Sequence, residues 1–283
     1  MTQRFLSALS RLPLPMLHGL STLLFFAAYH LLRWKRGLAT TNLQRAFPDK
    51  PAQEVEALAR AHFRGLFDTT LETIKGRTLP AAELARRVSI QNLDLLEALA
   101  EKPFLLVSAH QGNWEWQTLA LSHRLGVPVE AIYAPGPSPA LDRFLADVRT
   151  RFGITLLRPD TTMVEIARRA KVPRALVLLA DQNPRRDAER CWPRFLEQDT
   201  AFGVGLARIA RLTRYPIVFQ HGRRLSRGHY EIRFELLAEA PYPREPGELM
   251  ARYAALLEAS IHANPPDWLW SYERWRYAKP LYA

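Results

Sequence analysis

Cysteine is almost absent from this chain. The single thiol, Cys191, excludes an internal disulfide and leaves no CxxC pair for a metal, so the folded part is expected in a reducing compartment. Cys191 sits in "RCWPRF", where Arg190 and Arg194 would favour a thiolate, but no base stands nearby in sequence, and a packed thiol is the simpler expectation. Lysine is scarce too: six of the 39 basic residues are lysine and 33 are arginine. Set against 28 acidic residues they give a net charge of +11. An excess of planar guanidinium forks suits phosphorylated lipid, an anionic membrane, an acidic protein or nucleic acid. Nucleic acid has the weakest case, because there is no zinc-finger spacing, no RNP-type aromatic motif and no basic run longer than pairs such as Arg185-Arg186. Also missing are internal repeats, low-complexity tracts and a G-x-S-x-G elbow; "GPSPA" (136–140) lacks the final glycine, which speaks against a serine hydrolase. What remains is an ordinary globular composition, 48% hydrophobic and 24% charged, in a chain of 283 residues able to bury one large core.

A second absence is local. From Leu12 to Leu32 no Asp, Glu, Lys or Arg occurs over 21 positions, long enough for a bilayer crossing at about 1.5 Å per residue. His18, Gly19, Ser21 and Thr22 dilute the apolar signal, so a helix lying in the membrane interface or entering a core competes with a span. No small-residue cleavage pattern follows, which argues against a signal peptide. Residues 1–36 are therefore read as a membrane anchor or interfacial helix and 37–283 as the main globular domain. The larger positive flank, Arg33, Lys35 and Arg36, favours a cytoplasmic position for that domain.

Beyond this segment the periodicity predicts a long amphipathic helix over 51–75, bounded by Pro51 and Gly76. From residue 104 short apolar runs alternate with helical stretches, the pattern of a largely parallel sheet covered by helices. Strands are predicted over 104–109, 129–134, 154–158 and 175–181, followed by a strand pair, "IVFQHGRRL" and "HYEIRFEL". Helices are predicted over 113–125, 139–152, 161–170, from beyond Phe202 to Arg214, and over 247–263. The expected class is α/β, three-layered, with "PGPSP" (135–139) as a loop.

The stretch "SAHQGNWEWQ" (108–117) places His110 at the end of a predicted central strand and Glu115 in the first turn of the next helix. The carboxyl edge of such a sheet gathers ligand groups, and a helix start favours a carboxylate. If the turn through Gln111, Gly112 and Asn113 curls back, Glu115 can accept a proton from one imidazole nitrogen and leave the other as a base. That is a base with its orienter but without a nucleophile of its own. Ser108 shares a strand face with His110, but lacking an elbow it is a weak nucleophile, and a substrate hydroxyl activated by His110 is the economical alternative. The bland reading is a satisfied histidine in a turn. Metal binding has less support, since no second His or Cys stands at ligand spacing.

Four stretches in order resemble the bacterial lipid A biosynthesis (lauroyl/myristoyl) acyltransferases of the larger lysophospholipid acyltransferase group: "NLQRAFPD" (42–49), "HQGNWEW" (110–116) as an H-x4-D/E signature, "LLADQNP" (178–184) and "PPDWLWSYERWRY" (265–277). The resemblance covers nearly the whole chain. It implies a glycerol-phosphate-acyltransferase-like domain on the cytoplasmic face of the inner membrane. The implied reaction needs no cofactor and moves a fatty acyl chain from acyl carrier protein to a lipid A precursor. It implies His110 as catalytic base and Glu115 as its charge partner. An arginine, Arg149 before Arg151, would hold the thioester or developing oxyanion, and Asp181 with Gln182 would serve a structural or substrate-orienting role. Tyr272 departs from the family, which commonly has His there. A lysophospholipid or amino lipid is the alternative acceptor, with the same active-site residues.

Overall fold

The computed structural model describes residues 2–136, 138–158 and 160–279; Pro137, within the predicted loop 135–139, lies outside them. Helices α1 (Thr2–Arg11) and α2 (Leu14–Phe26) lead through a π-helical turn, Ala27–Leu31, to α3 (Arg36–Ala46), α4 (Ala52–Lys75) and α5 (Ala81–Arg87). Then follow β1 (Val88–Ile90), α6 (Asp94–Leu99), β2 (Phe104–Ser108), α7 (Trp114–Arg124), β3 (Val129–Ile132), α8 (Pro139–Arg149), β4 (Thr155–Leu157), α9 (Thr162–Arg168) and β5 (Ala175–Leu179). The chain closes with α10 (Gly205–Thr213), β6 (Ile217–Ser226), β7 (His229–Ala238) and α11 (Pro246–Ala263). Two small ladders lie between β5 and α10, pairing Arg190–Cys191 with Phe202–Gly203 and Arg194–Phe195 with Gln198–Asp199.

Among the described residues the main sheet runs β1-β7-β6-β2-β5-β3-β4. Only the β6/β7 hairpin is antiparallel; every other neighbouring pair is parallel, so the sheet is mixed and mostly parallel, as its apolar strands predict. Side chains alternate along β2 and divide the core into two halves. Leu105 and Val107 join Tyr253 and Leu257 of α11, while Phe104 and Leu106 join Trp116 of α7 and Phe144 of α8. Each large apolar side chain buried this way contributes about 1.5–3 kcal/mol. The result is three layers, helices on both faces of the sheet. The edge strand β1 has no counterpart in the sequence reading, because three residues carry too little alternation to declare a strand.

The N-terminal segment is apolar on two sides. Leu14, Leu17, Ser21 and Phe25 recur at helical spacing and are buried, whereas Met16, Leu23, Leu24 and Phe26 are exposed, followed by exposed Leu31, Leu32 and Trp34. By length and composition Leu14–Leu31 is sufficient to cross a membrane. Yet α2 packs on α4 and is fastened there by polar groups: His18 Nε2 lies 2.8 Å from Glu72 Oε1, and Ser21 donates to Asp68. Arg227 also donates to the carbonyl of His18 at 2.6 Å and to Ser21 at 2.8 Å.

Candidate active site

Parallel pairing sets the centre. β2 and β5 are neighbours with Ser108 opposite Leu179, and two residues past each end stand His110 and Asp181. They therefore emerge side by side at the carboxyl edge of the sheet. His110 Nδ1–H donates to Asp181 Oδ1 at 2.7 Å, and the backbone N–H of His110 donates to Oδ2 at 3.0 Å. Trp268 Nε1–H adds a third donor to Oδ2 at 3.0 Å. Burial alone would raise the Asp181 carboxyl, but His110 and Trp268 outweigh it and hold the group below its ordinary value. The remaining ring nitrogen, Nε2, accepts from the Gln182 amide at 3.2 Å. The imidazole is thus fixed in one tautomer, with a buried carboxylate on one nitrogen and an exchangeable partner on the other.

This corrects the expected pairing. The Glu115 carboxylate does not orient His110; it accepts from Arg149 Nε at 3.2 and 3.0 Å and from Arg149 Nη2 at 2.5 Å. Helix geometry explains the difference. Asn113 caps α7 by accepting from the backbone N–H of Trp116 at 3.0 Å, and Gly112 takes a φ of +60° that favours glycine. The turn thereby leaves Glu115 one residue into the helix, facing Arg149 at the end of α8. Burial disfavours the Arg149 charge, but Glu115, with Asp142 and Tyr133 assisting, more than compensates, and its pKa is raised.

A pocket of about 270 Å³ lies beside these groups, with His110, Glu115, Arg149 and Gln182 at its polar side and Leu119, Ile132, Ile154 and Leu178 among its apolar walls. Arg151 is not in that lining. It donates to the carbonyls of Gly76 and Leu79 and lies over the ring of Phe152, so the expectation that it reaches the site is corrected. Cys191 is half-buried, and burial, its main perturbation, pushes its thiol up to about 11, which leaves it inert at neutral pH.

The four sequence stretches meet here. Asn42 donates to the carbonyls of Trp270 and Tyr272 at 2.9 and 3.0 Å. Gln111 bridges to Trp268, and Asn183 donates to the carbonyl of Glu273 at 2.7 Å. His62, overlooked in the sequence, supports the same strap: it is fully buried, with ring nitrogens 3.3 Å from the Pro266 carbonyl and 3.2 Å from Ser271 Oγ. Burial lowers its pKa to about 4, so it is neutral and structural. Glu72, also overlooked, is wholly buried and accepts from Asn113 Nδ2 at 2.9 Å, which ties α4 to the turn after His110. No spacing rule reveals either residue, since both lie within the long α4 pattern.

The arrangement can take a proton at Nε2 and place a cation beside a reacting group bound in an apolar pocket. Residues 2–277 match the family described as bacterial lipid A biosynthesis acyltransferase. The chain is 22% identical over 272 residues, 94% of its length and 87% of the relative's, to a lipid A biosynthesis palmitoleoyltransferase of Escherichia coli strain K12. A lipid A biosynthesis acyltransferase of Shigella flexneri is similar with the same identity and coverage.

Proposed function

Because the chain belongs to the bacterial lipid A biosynthesis acyltransferases, we propose that it moves a fatty acyl group from the thioester of acyl carrier protein to a hydroxyl of a lipid A precursor, with His110 as general base. The observation that carries this reading is the imidazole whose Nδ1 is locked to buried Asp181 while its Nε2, among the described residues, meets only an amide at the pocket. The acceptor hydroxyl displaces Gln182 from Nε2 and gives up its proton as its oxygen attacks the thioester carbon. Asp181 stabilises the imidazolium that results. Charge developing on the carbonyl oxygen is met by Arg149, whose Nε and Nη2 are spent on Glu115 while Nη1 has no acceptor among the described residues. Collapse breaks the C–S bond, and the imidazolium returns its proton to the departing thiolate. Glu115 on this reading positions Arg149 rather than the base.

Residues 37–283 form the catalytic domain, in the glycerol-phosphate-acyltransferase-like arrangement, and residues 1–36 the segment that meets the membrane. The exposed Leu23, Leu24 and Phe26 favour α2 lying in the interface of an anionic inner membrane, its other side being bound to α4. Arg33, Lys35 and Arg36 favour the cytoplasmic face. Excess positive charge suits both the membrane and an acidic carrier protein. The test is reconstitution: purified protein with acyl carrier protein thioester and lipid A precursor gives a product heavier by one acyl chain, and His110→Ala lowers the rate by about 10³-fold with its melting unchanged. Full turnover by that variant removes the base from the mechanism.

A further inference from the structure

On the other side of His110 from the apolar pocket the surface changes character. A passage with room for about one water runs past His110, Gly112 and Trp114 and shares Gly65, Arg224, Pro266 and Asp267 with a larger cleft of about 480 Å³. That cleft lies between α2, α4 and the β6/β7 turn, and Arg64, Arg224 and Arg227 line it. Two carboxylates line it as well, and both are engaged. Asp68 accepts from Ser21, from Arg224 Nη1 at 3.1 Å and from Arg227 Nη2 at 2.7 Å. Asp267 accepts from the backbone N–H of Arg224 at 2.6 Å.

The arginines keep donors in reserve. Arg224 is held by Asp68 and by the carbonyl of Gly65, yet its buried Nε has no partner among the described residues. Gly65 makes this close approach possible, since a Cβ there would stand 3.3 Å from Arg224 Nη2. Arg64 is exposed, lies over the ring of Phe25 at 5.2 Å, and has no carboxylate partner among the described residues. Arg227 commits Nε and Nη2 but not Nη1 among the same residues. Phe25 of α2 forms one wall, and the exposed Leu23, Leu24 and Phe26 of that helix lie close by in the chain.

We infer that this cleft binds the phosphate of a phosphorylated lipid, with Arg64 as its exposed clamp and Arg224 and Arg227 beside it, while the lipid chains rest against the apolar outer side of α2. A phosphate supplies the acceptors these forks lack, and a lipid supplies the apolar contact α2 leaves open. The inference rests on the acyltransferase reading in one respect, that the bound lipid is the acyl acceptor.

Arg64→Glu is the decisive variant, since Arg64 holds no ion pair among the described residues that the fold would lose, and Arg86→Glu makes the same charge change on exposed α5. With a phosphorylated acceptor, Arg64→Glu raises KM about tenfold or more with kcat little changed, Arg86→Glu shifts KM less than twofold, and Arg64→Lys restores most of the loss. Removing the acceptor's phosphate closes the gap between wild type and Arg64→Glu. Equal KM shifts for Arg64→Glu and Arg86→Glu, or a gap that survives dephosphorylation, overturn the inference. Inhibition by inorganic phosphate near the acceptor's own concentration range makes this a free-anion site and overturns the lipid assignment; inhibition only far above it upholds the assignment. Vesicles of phosphatidylcholine with and without phosphatidic acid separate this inference from the acyltransferase reading. If wild type transfers no acyl group but Arg64→Glu alone loses its preference for phosphatidic acid, the cleft stands without that reading. If transfer proceeds and the preference is identical in wild type and Arg64→Glu, the cleft falls and the reading stands.

Discussion

Two carboxylates stand at the same sheet edge and are used in opposite ways. Asp181 lies at the floor, 2% exposed, taking three hydrogen bonds, two of them from His110. Glu115 lies at the pocket rim and spends its oxygens on the Arg149 guanidinium. The first ties its charge to an imidazole whose second nitrogen faces the pocket, the second to a guanidinium that stays a fixed cation. A carboxylate beside an imidazole tunes a proton acceptor; a carboxylate beside a guanidinium only aims a fixed charge. Sequence proximity to His110 is therefore a poor guide to which acid governs it, and the division of labour gives separable consequences.

The largest effect belongs to the floor. Asp181→Asn, which keeps shape but removes the charge, is expected to lower the acyl transfer rate about 10²-fold and to destabilise the protein by about 2 kcal/mol, measured by steady-state rates and denaturant unfolding. Because the Asp181 carboxyl is depressed when folded, its stabilising contribution is present above the ordinary value of 3.8 and is lost as pH falls through the folded value. The stability gap between wild type and Asp181→Asn accordingly holds from neutral pH down to that range and narrows below it; a gap that widens on acidification contradicts the assigned direction.

At the rim the expected loss is smaller. Glu115→Gln leaves Arg149 in place but loosens its aim, so the rate falls about tenfold, with the pH profile of kcat unmoved. A displaced profile would mean that Glu115 acts on the imidazole after all. The smallest effect is assigned to Arg151, which caps carbonyls outside the pocket: Arg151→Ala costs about 1 kcal/mol in thermal or denaturant unfolding and changes kcat less than twofold. A large kinetic loss with unchanged stability would return Arg151 to the site.

These contrasts show where sequence pattern carries information and where it stops. The apolar runs of β2 and β5 and the long period of α4 declare themselves because burial on both faces, or along one stripe, leaves a signature in adjacent residues. His110 is legible as a candidate from its place at a predicted strand end, and Asp181 only from the resemblance carried by "LLADQNP". Their partnership is not, since it depends on β5 lying directly beside β2, an adjacency decided by the whole sheet order. Glu115 was misplaced for a local reason: the Asn113 cap fixes the start of α7, and with it the direction of every side chain in the first turn. The apolar N-terminal segment was legible by composition, but its fastening to α4 through His18 and Ser21 is tertiary.

Asp181, and not Glu115, holds the His110 imidazole. Proton NMR of protein labelled with ¹⁵N-histidine tests it directly, through the hydrogen-bonded Nδ1–H resonance identified by its absence in His110→Ala. This resonance is expected to persist in Glu115→Gln and to disappear or move far upfield in Asp181→Asn. The reverse pattern, loss with Glu115→Gln and retention with Asp181→Asn, would contradict it.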